Sequence, residues 1–142
     1  MARTTRTPPW QKAANTDRWT ETLFRALTTR VAKRWRFVSF RGIGGGEWRG
    51  VVDVLAIRKD TARSDHQLLK SGDFFEIILV QMKGGSARRP KAADTKRLRV
   101  VKNRYGATDI VLFTWKRGGG CKFEKLGSGE KWVSSSAKEL FG

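Results

Sequence analysis

Two segments decide the fold: GEWRGVVDVLAI, residues 46–57, and FFEIILVQMKGG, residues 74–85. Val51–Ile57 is apolar on both faces of an expected strand except at Asp53. Phe74–Lys83 is apolar on both faces through its middle and ends on Gln81 and Lys83. Strands of this kind belong to a sheet covered on both sides. The connection over about 59–72 is longer than a tight hairpin. Ahead of the first segment, residues 42–50 (GIGGGEWRG) read as a glycine-rich turn. No Gly-Lys-Ser/Thr follows it, so it is not a P-loop, and Glu47 stands where a dinucleotide fingerprint needs its third glycine.

Upstream, Trp19, Leu23, Leu27, Val31 and Trp35 recur every four residues with Phe24 beside them. They span a stripe of ~160° and predict a helix over 17–34, capped by Thr16 or Asn15. Glu21 lies just past one edge of that stripe, where a side chain can look into a cleft. Residues 1–15, with Arg3, Arg6, Lys12 and Pro8-Pro9, read as a flexible basic arm, and 16–142 as a single domain. Phe37, Val38 and Phe40 predict a short strand. Downstream, a helix is expected over 87–105, with Pro90 in its first turn, Gly106 as its stop and Ala93, Leu98, Val101 and Tyr105 as a thin apolar stripe. Asp109–Trp115 is a further strand, and Lys122–Leu126 with Lys131–Ser134 a hairpin about Gly127–Gly129. The order is helix, three strands, helix, strand and hairpin, an α/β sandwich with a mixed central sheet flanked by helices.

The 142 residues carry 30 Lys and Arg against 13 Asp and Glu, a net charge of +17. That self-repulsion points to a polyanionic partner, with DNA, RNA and an anionic membrane surface as the candidates. Between Lys83 and Arg104 the basic residues Arg88, Arg89, Lys91, Lys96, Arg97, Arg99 and Lys102 are opposed by Asp94 alone, which predicts a phosphate-backbone surface. Trp48 with Arg49, and Trp10, are candidates for stacking on unpaired bases. Trp19, Trp35 and Trp115 fit core positions. No run approaches a transmembrane helix and no signal-peptide core is present, so a cytoplasmic protein is expected, nucleoid-associated if bacterial or viral. One Cys (Cys121) and one His (His66) exclude a disulfide framework and a structural zinc site. His66 is expected in solvent and Cys121 as a buried or strand thiol.

Any chemistry must therefore run on carboxylates, amides and lysines. A lone carboxylate such as Asp53 inside an apolar strand is costly without a cation beside it. The competing role for Asp53 is an ion pair with Arg41 or Arg49. Gln81 and Lys83 share a strand face, ~7 Å apart, whereas Glu76 falls on the other. If the two strands are neighbours, Asp53, Gln81 and Lys83 converge at one end of the sheet. Phosphodiester hydrolysis needs a hard cation, a positioned water and charge stabilisation. Mg²⁺ (with Mn²⁺ able to substitute) accepts one carboxylate plus neutral oxygens. Asp53 would be its anionic ligand, Gln81 and the Met82 carbonyl the neutral ones. Lys83 would orient water or stabilise charge. Glu21 or Glu47 would complete the site.

Val52-Asp53, then about 27 residues on Gln81-Met82-Lys83, resembles the PD-(D/E)XK nuclease superfamily. The resemblance spans about 16–115, including the glycine-rich approach to Asp53 and the glycines after Lys83. Within the superfamily the chain is most similar to Holliday-junction resolvases and methyl-directed restriction nucleases, the latter having Gln at the position of Gln81. The resemblance implies a restriction-endonuclease-like three-layer sandwich. It makes Asp53 a metal ligand, Gln81 a substitute for the usual acid, Lys83 the catalytic lysine and Glu21 the helix glutamate. Val52 stands in place of the name-giving proline. The expected function is a metal-dependent DNA endonuclease, a phosphodiester hydrolase that is structure-specific because no separate recognition domain fits in the length. The alternative is a non-catalytic nucleic-acid-binding module of the same fold. Two-strand cutting would suit a homodimer.

Overall fold

A computed structural model describes Arg6 and residues 9–40, 50–85 and 87–142, with side chains in the first helix from Thr16 onward. Helix α1 spans Pro9–Thr29, β1 Arg36–Ser39, β2 Val54–Asp60, β3 Phe74–Gly84 and α2 Ala92–Tyr105. They are followed by β4 Asp109–Lys116, β5 Gly120–Leu126, a 3-10 turn Ser128–Glu130, β6 Trp132–Ser135 and α3 Ala137–Phe141. Among the described residues the six strands form one mixed sheet in the order β1-β2-β3-β4-β5-β6. Only the β3–β4 pair is parallel, and α2 is the crossover that such a pair requires.

Side chains alternate across this sheet and feed two cores. Val54, Ala56, Ile78, Val80, Val111, Phe113 and Phe123 face one way and pack with Phe24 of α1 and Phe141 of α3. Leu79, Ile110 and Leu126 face the other way and pack with Leu98 of α2 and with Val51. Helices thus cover both faces, an arrangement compatible with a three-layer sandwich.

Several elements differ from expectation. Helix α1 begins at Pro9, inside the segment read as an arm, and ends at Thr29 rather than 34. Both Val31 and Ala32 donate to the Thr28 carbonyl, and Arg34 adopts φ 64°, so the chain turns before Trp35. The buried face is Thr20, Glu21, Phe24 and Thr28, and Trp19 is 52% exposed instead of in the core. The threonine hydroxyls satisfy themselves on carbonyls one turn back, Thr20 on Thr16 at 2.7 Å and Thr28 on Phe24 at 2.8 Å, which lets them be buried. Their small size lets α1 lie close on β3. A Cβ at Gly84 would fall 2.0 Å from Thr20 Oγ1 and 2.2 Å from Trp115 Nε1.

The second strand starts at Val54, three residues later than expected, and runs three residues further, to Asp60, where Arg58 and Lys59 extend the ladder opposite Glu76 and Phe75. Asp53 therefore precedes β2 rather than lying inside it. Helix α2 starts at Ala92, where the Asp94 carboxylate accepts from the Lys91 N–H, and stops at Gly106 with φ 65° as expected. Its buried residues are Thr95 and Leu98; Ala93 and Tyr105 are exposed, so the expected stripe is narrower. Helix α3 has no counterpart in the sequence reading. Phe141 on it is fully buried, with rings of Phe24, Trp35 and Phe37 between 5.4 and 6.0 Å away. Among the described residues no helix is long and apolar enough to cross a membrane. Cys121 is an exposed strand thiol, and His66 is exposed with Nδ1 accepting from the Leu68 and Leu69 amides.

Candidate active site

The β2–β3 ladder delivers Asp53 to the end of β3 that carries Gln81 and Lys83. Val54 pairs with Val80. One residue earlier, the Asp53 N–H donates to the Val80 carbonyl at 2.9 Å, and Phe40 N–H donates to the Asp53 carbonyl at 3.0 Å. The carboxylate then takes over from the backbone: Oδ2 accepts from Met82 N–H at 2.7 Å. Asp53 thus brackets Gln81, bonded to the residue before it and the residue after it. A charge-assisted bond of this kind contributes about 1.5–3 kcal/mol.

Gln81 follows Leu79 on the α2 side of the sheet and is 4% exposed. Its Oε1 is buried and has no hydrogen-bond partner among the described residues. A buried acceptor left unpaired costs about 1–3 kcal/mol. Neutral amide oxygen beside carboxylate is donor chemistry that a hard divalent cation takes, and the unpaired Oε1 fits a ligand of that kind. Among the described residues no three His, Cys, Asp or Glu side chains converge on a metal position. The expected set relies instead on one carboxylate, one amide and a backbone carbonyl.

Lys83 lies two residues further along the same face. It pairs in register with Thr114 of β4, which pairs with Lys122 of β5. These three line a pocket of about 210 Å³ with Arg89, Lys116 and Trp115, floored by Gly85, Gly119 and Gly120. Four cations thus surround one small cavity. The neighbouring row is Gln81, Leu112 and Glu124. Glu124 is 3% exposed and holds Arg89 through two parallel bonds of 2.8 Å, with Lys122 Nζ at 3.4 Å. The Arg89 hydrogen bonds hold the Glu124 carboxyl below the usual range although burial pushes the other way, and the same contact raises the Arg89 guanidinium. Glu124 thereby fixes Arg89 at the pocket wall.

Glu21 is buried on α1 and pairs with Arg25 at 3.2 Å, while Arg25 reaches the Phe37 carbonyl. Glu21 neighbours Thr20, whose hydroxyl meets Trp115 and Gly84. It therefore reaches the same end of the sheet, in the layer opposite Gln81 and Lys83. Glu47, Trp48 and Arg49, with Arg41, lie outside the described residues, as do the side chains of Trp10 and its neighbours.

The basic run divides by role. Arg88, Lys91, Lys96, Arg97 and Arg104 are exposed, Arg97 with a 3.8 Å contact to Asp94. Lys102 is half-buried. Arg89 is held by Glu124, and Arg99 donates to the Gly127 carbonyl, tying α2 to the β5–β6 turn. Lys116, Lys122, Thr114 and Glu124 were not singled out from sequence. In CKFEKL the alternation puts Lys122, Glu124 and Leu126 on one face, but only the strand order shows that this face carries Gln81 and Lys83.

No protein-family model matches this chain, and no characterised protein is significantly similar to it.

Proposed function

We propose that the chain is a metal-dependent DNA endonuclease of the PD-(D/E)XK kind, with the restriction-endonuclease-like fold. The order helix, three strands, helix, strand, paired antiparallel, antiparallel and parallel, supports that fold reading. The functional reading is carried by one observation: the unpaired, buried Gln81 Oε1, bracketed by Asp53 and followed by Lys83. A bound Mg²⁺, or Mn²⁺ in its place, would supply Lewis-acid polarisation and a more acidic water. Asp53, Gln81 Oε1 and the Met82 carbonyl would hold it. Lys83 orients the attacking water or stabilises charge on the phosphoryl oxygens. Arg89, Lys116 and Lys122 bind the phosphates beside the scissile bond, and the exposed cations of α2 draw in the duplex. Of the two candidate acids for the second position, Glu21 lies across the sheet from Gln81 and is paired with Arg25, which leaves Glu47 as the proposed second acid. Branched or junction DNA is the proposed substrate, cut by a pair of chains where both strands are cleaved, in a nucleoid-associated setting.

A second reading has an observation of its own. The bond from Met82 N–H to Asp53 Oδ2 closes the ladder, a structural task that needs no metal, and Gln81 adds no negative charge. A non-catalytic nucleic-acid-binding module would use the same basic surface. Branched, nicked and plain duplex DNA incubated with Mg²⁺, Mn²⁺ or EDTA separates the two. Metal-dependent cutting that disappears in Asp53→Asn and Lys83→Ala supports the nuclease. Tight binding without cutting on every substrate overturns it in favour of the module.

A further inference from the structure

We infer that the chain has a second nucleic-acid site, a groove at the far end of β1–β2–β3 that stacks an unpaired base on Phe75. It needs neither a metal nor cleavage and so stands apart from the function proposed above. Phe75 is 57% exposed, although it sits on a strand of the central sheet. It pairs with Lys59, while Arg36 pairs with Ile57 two residues before Lys59. Directly opposed residues and residues two apart share a face, so these side chains form one patch. With Arg34 and Arg58 they line a groove of about 430 Å³.

The charge of the groove is not neutralised. Among the described residues, Arg34, Arg36 and Lys59 have no ion pair, whereas Arg58 is fixed by Glu76 at 2.9 Å and lies over Trp35 at 4.4 Å. The other nearby acid, Asp60, is turned onto the Ala62 and Arg63 amides. Arg34 holds its guanidinium there from a left-handed backbone, φ 64°, at a position where glycine would relieve the strain. An exposed ring invites an apolar or π-faced partner, and three unpaired cations around it demand an anionic one. A nucleobase on a phosphodiester chain is both. A paired base offers its neighbours no free face, which selects an unpaired strand over a duplex. A second copy of this chain, itself +17, is repelled by the same cations.

The test uses the full chain in EDTA, so nothing is cut and failure of the nuclease reading leaves it untouched. Fluorescent oligothymidylate and oligouridylate of about 12 nucleotides, and a plain duplex, are titrated by anisotropy. Phe75→Ala should weaken single-strand binding about tenfold or more and duplex binding less than about twofold. Phe75→Trp should restore it, and Phe75→Leu, which keeps bulk without a ring, should not. Loss with only one of the two oligonucleotides supports the site and names DNA or RNA as its strand. Unchanged single-strand binding in the Ala and Leu variants, or equal loss on duplex, overturns it. So does a wild-type dimer that Phe75→Ala dissolves in sedimentation, because the ring would then belong to a chain–chain contact.

Discussion

Replacing Gln81 with leucine should stabilise the protein while removing its activity. Leucine fills nearly the same volume at a position that is 4% exposed, and it deletes the buried, partnerless Oε1. Relief of an unpaired acceptor amounts to about 1–3 kcal/mol, of which imperfect packing of the branched side chain takes a part. A net gain of about 1 kcal/mol would raise Tm by about 3 °C in a chain of this length. Scanning calorimetry without metal reads that gain, and the branched-DNA assay with Mg²⁺ should read a fall in cutting of about a hundredfold. Gln81→Glu supplies the converse. It puts a second carboxylate beside Asp53, so it should lower Tm in EDTA and restore it with Mg²⁺, because a ligand at about 100 times its Kd stabilises by about 2.7 kcal/mol. A leucine variant that melts lower than wild type and still cuts would refute the reasoning, since Gln81 would then be a satisfied structural residue.

Asp53→Asn should keep an acceptor for Met82 N–H and melt within about 3 °C of wild type, while Asp53→Ala should cost about 1–3 kcal/mol in chemical denaturation; both should abolish cutting. Arg89→Ala should destabilise by about 1–3 kcal/mol by stranding the buried Glu124, a figure kept low because Lys122 remains and Arg89 is half-exposed. The Glu124 carboxyl titrates below its unfolded value, so its contribution is complete above the ordinary glutamate range and is lost as pH falls through the lowered folded value. The Tm gap between wild type and Arg89→Ala should accordingly be widest near neutrality and close on acidification; a gap independent of pH would remove the ion pair as its cause. Duplex affinity should fall steeply with salt, and Lys96→Ala and Arg104→Ala should each reduce the slope of log K against log salt by about 1.

The part of the fold legible in the sequence was the part written in apolar runs. Ile78–Gln81, the middle of Phe74–Lys83, is buried on both faces, so its pattern needs no knowledge of neighbours, and the observed β3 differs by one residue. In helix α1 the expected Leu23, Phe24 and Leu27 do pack on the core, but Trp19 is exposed and Thr20 and Thr28 take fully buried positions that an apolarity scale does not favour. The hydroxyls are buried because each is satisfied on its own helix, and Gly84 demands a small residue opposite. Helix α3 did carry a local signal, Ser136 three residues before Glu139, whose N–H bonds Ser136 Oγ at 3.1 Å. Asp53, Gln81 and Lys83 were visible as polar residues interrupting apolar strands. Glu124 and Lys122 were not, because in a strand of mixed polarity an inward charge looks like an outward one until the neighbouring strand is known.

The cations around Lys83 bear on how a metal could be held at all. One carboxylate and one amide give a divalent ion little negative charge, and Lys83 stands ~7 Å along the strand from Gln81. At an effective dielectric constant of about 20, a single lysine at that distance opposes a divalent charge by about 5 kcal/mol before screening, with Lys116 adding to it and Arg89 and Lys122 partly offset by Glu124. A phosphate seated in the 210 Å³ pocket reverses that sign. Metal and DNA should therefore bind with positive coupling, each raising the affinity of the other by the same factor. Calorimetric titration of Mg²⁺ into the wild-type chain, with and without a short phosphorothioate duplex that resists cleavage, measures that factor without turnover. Weak Mg²⁺ binding that becomes at least about tenfold tighter on DNA is the expected result. Equal affinity in both would mean that the cationic pocket and the Asp53–Gln81 pair act independently, and the chemistry assigned to their junction would have to be abandoned.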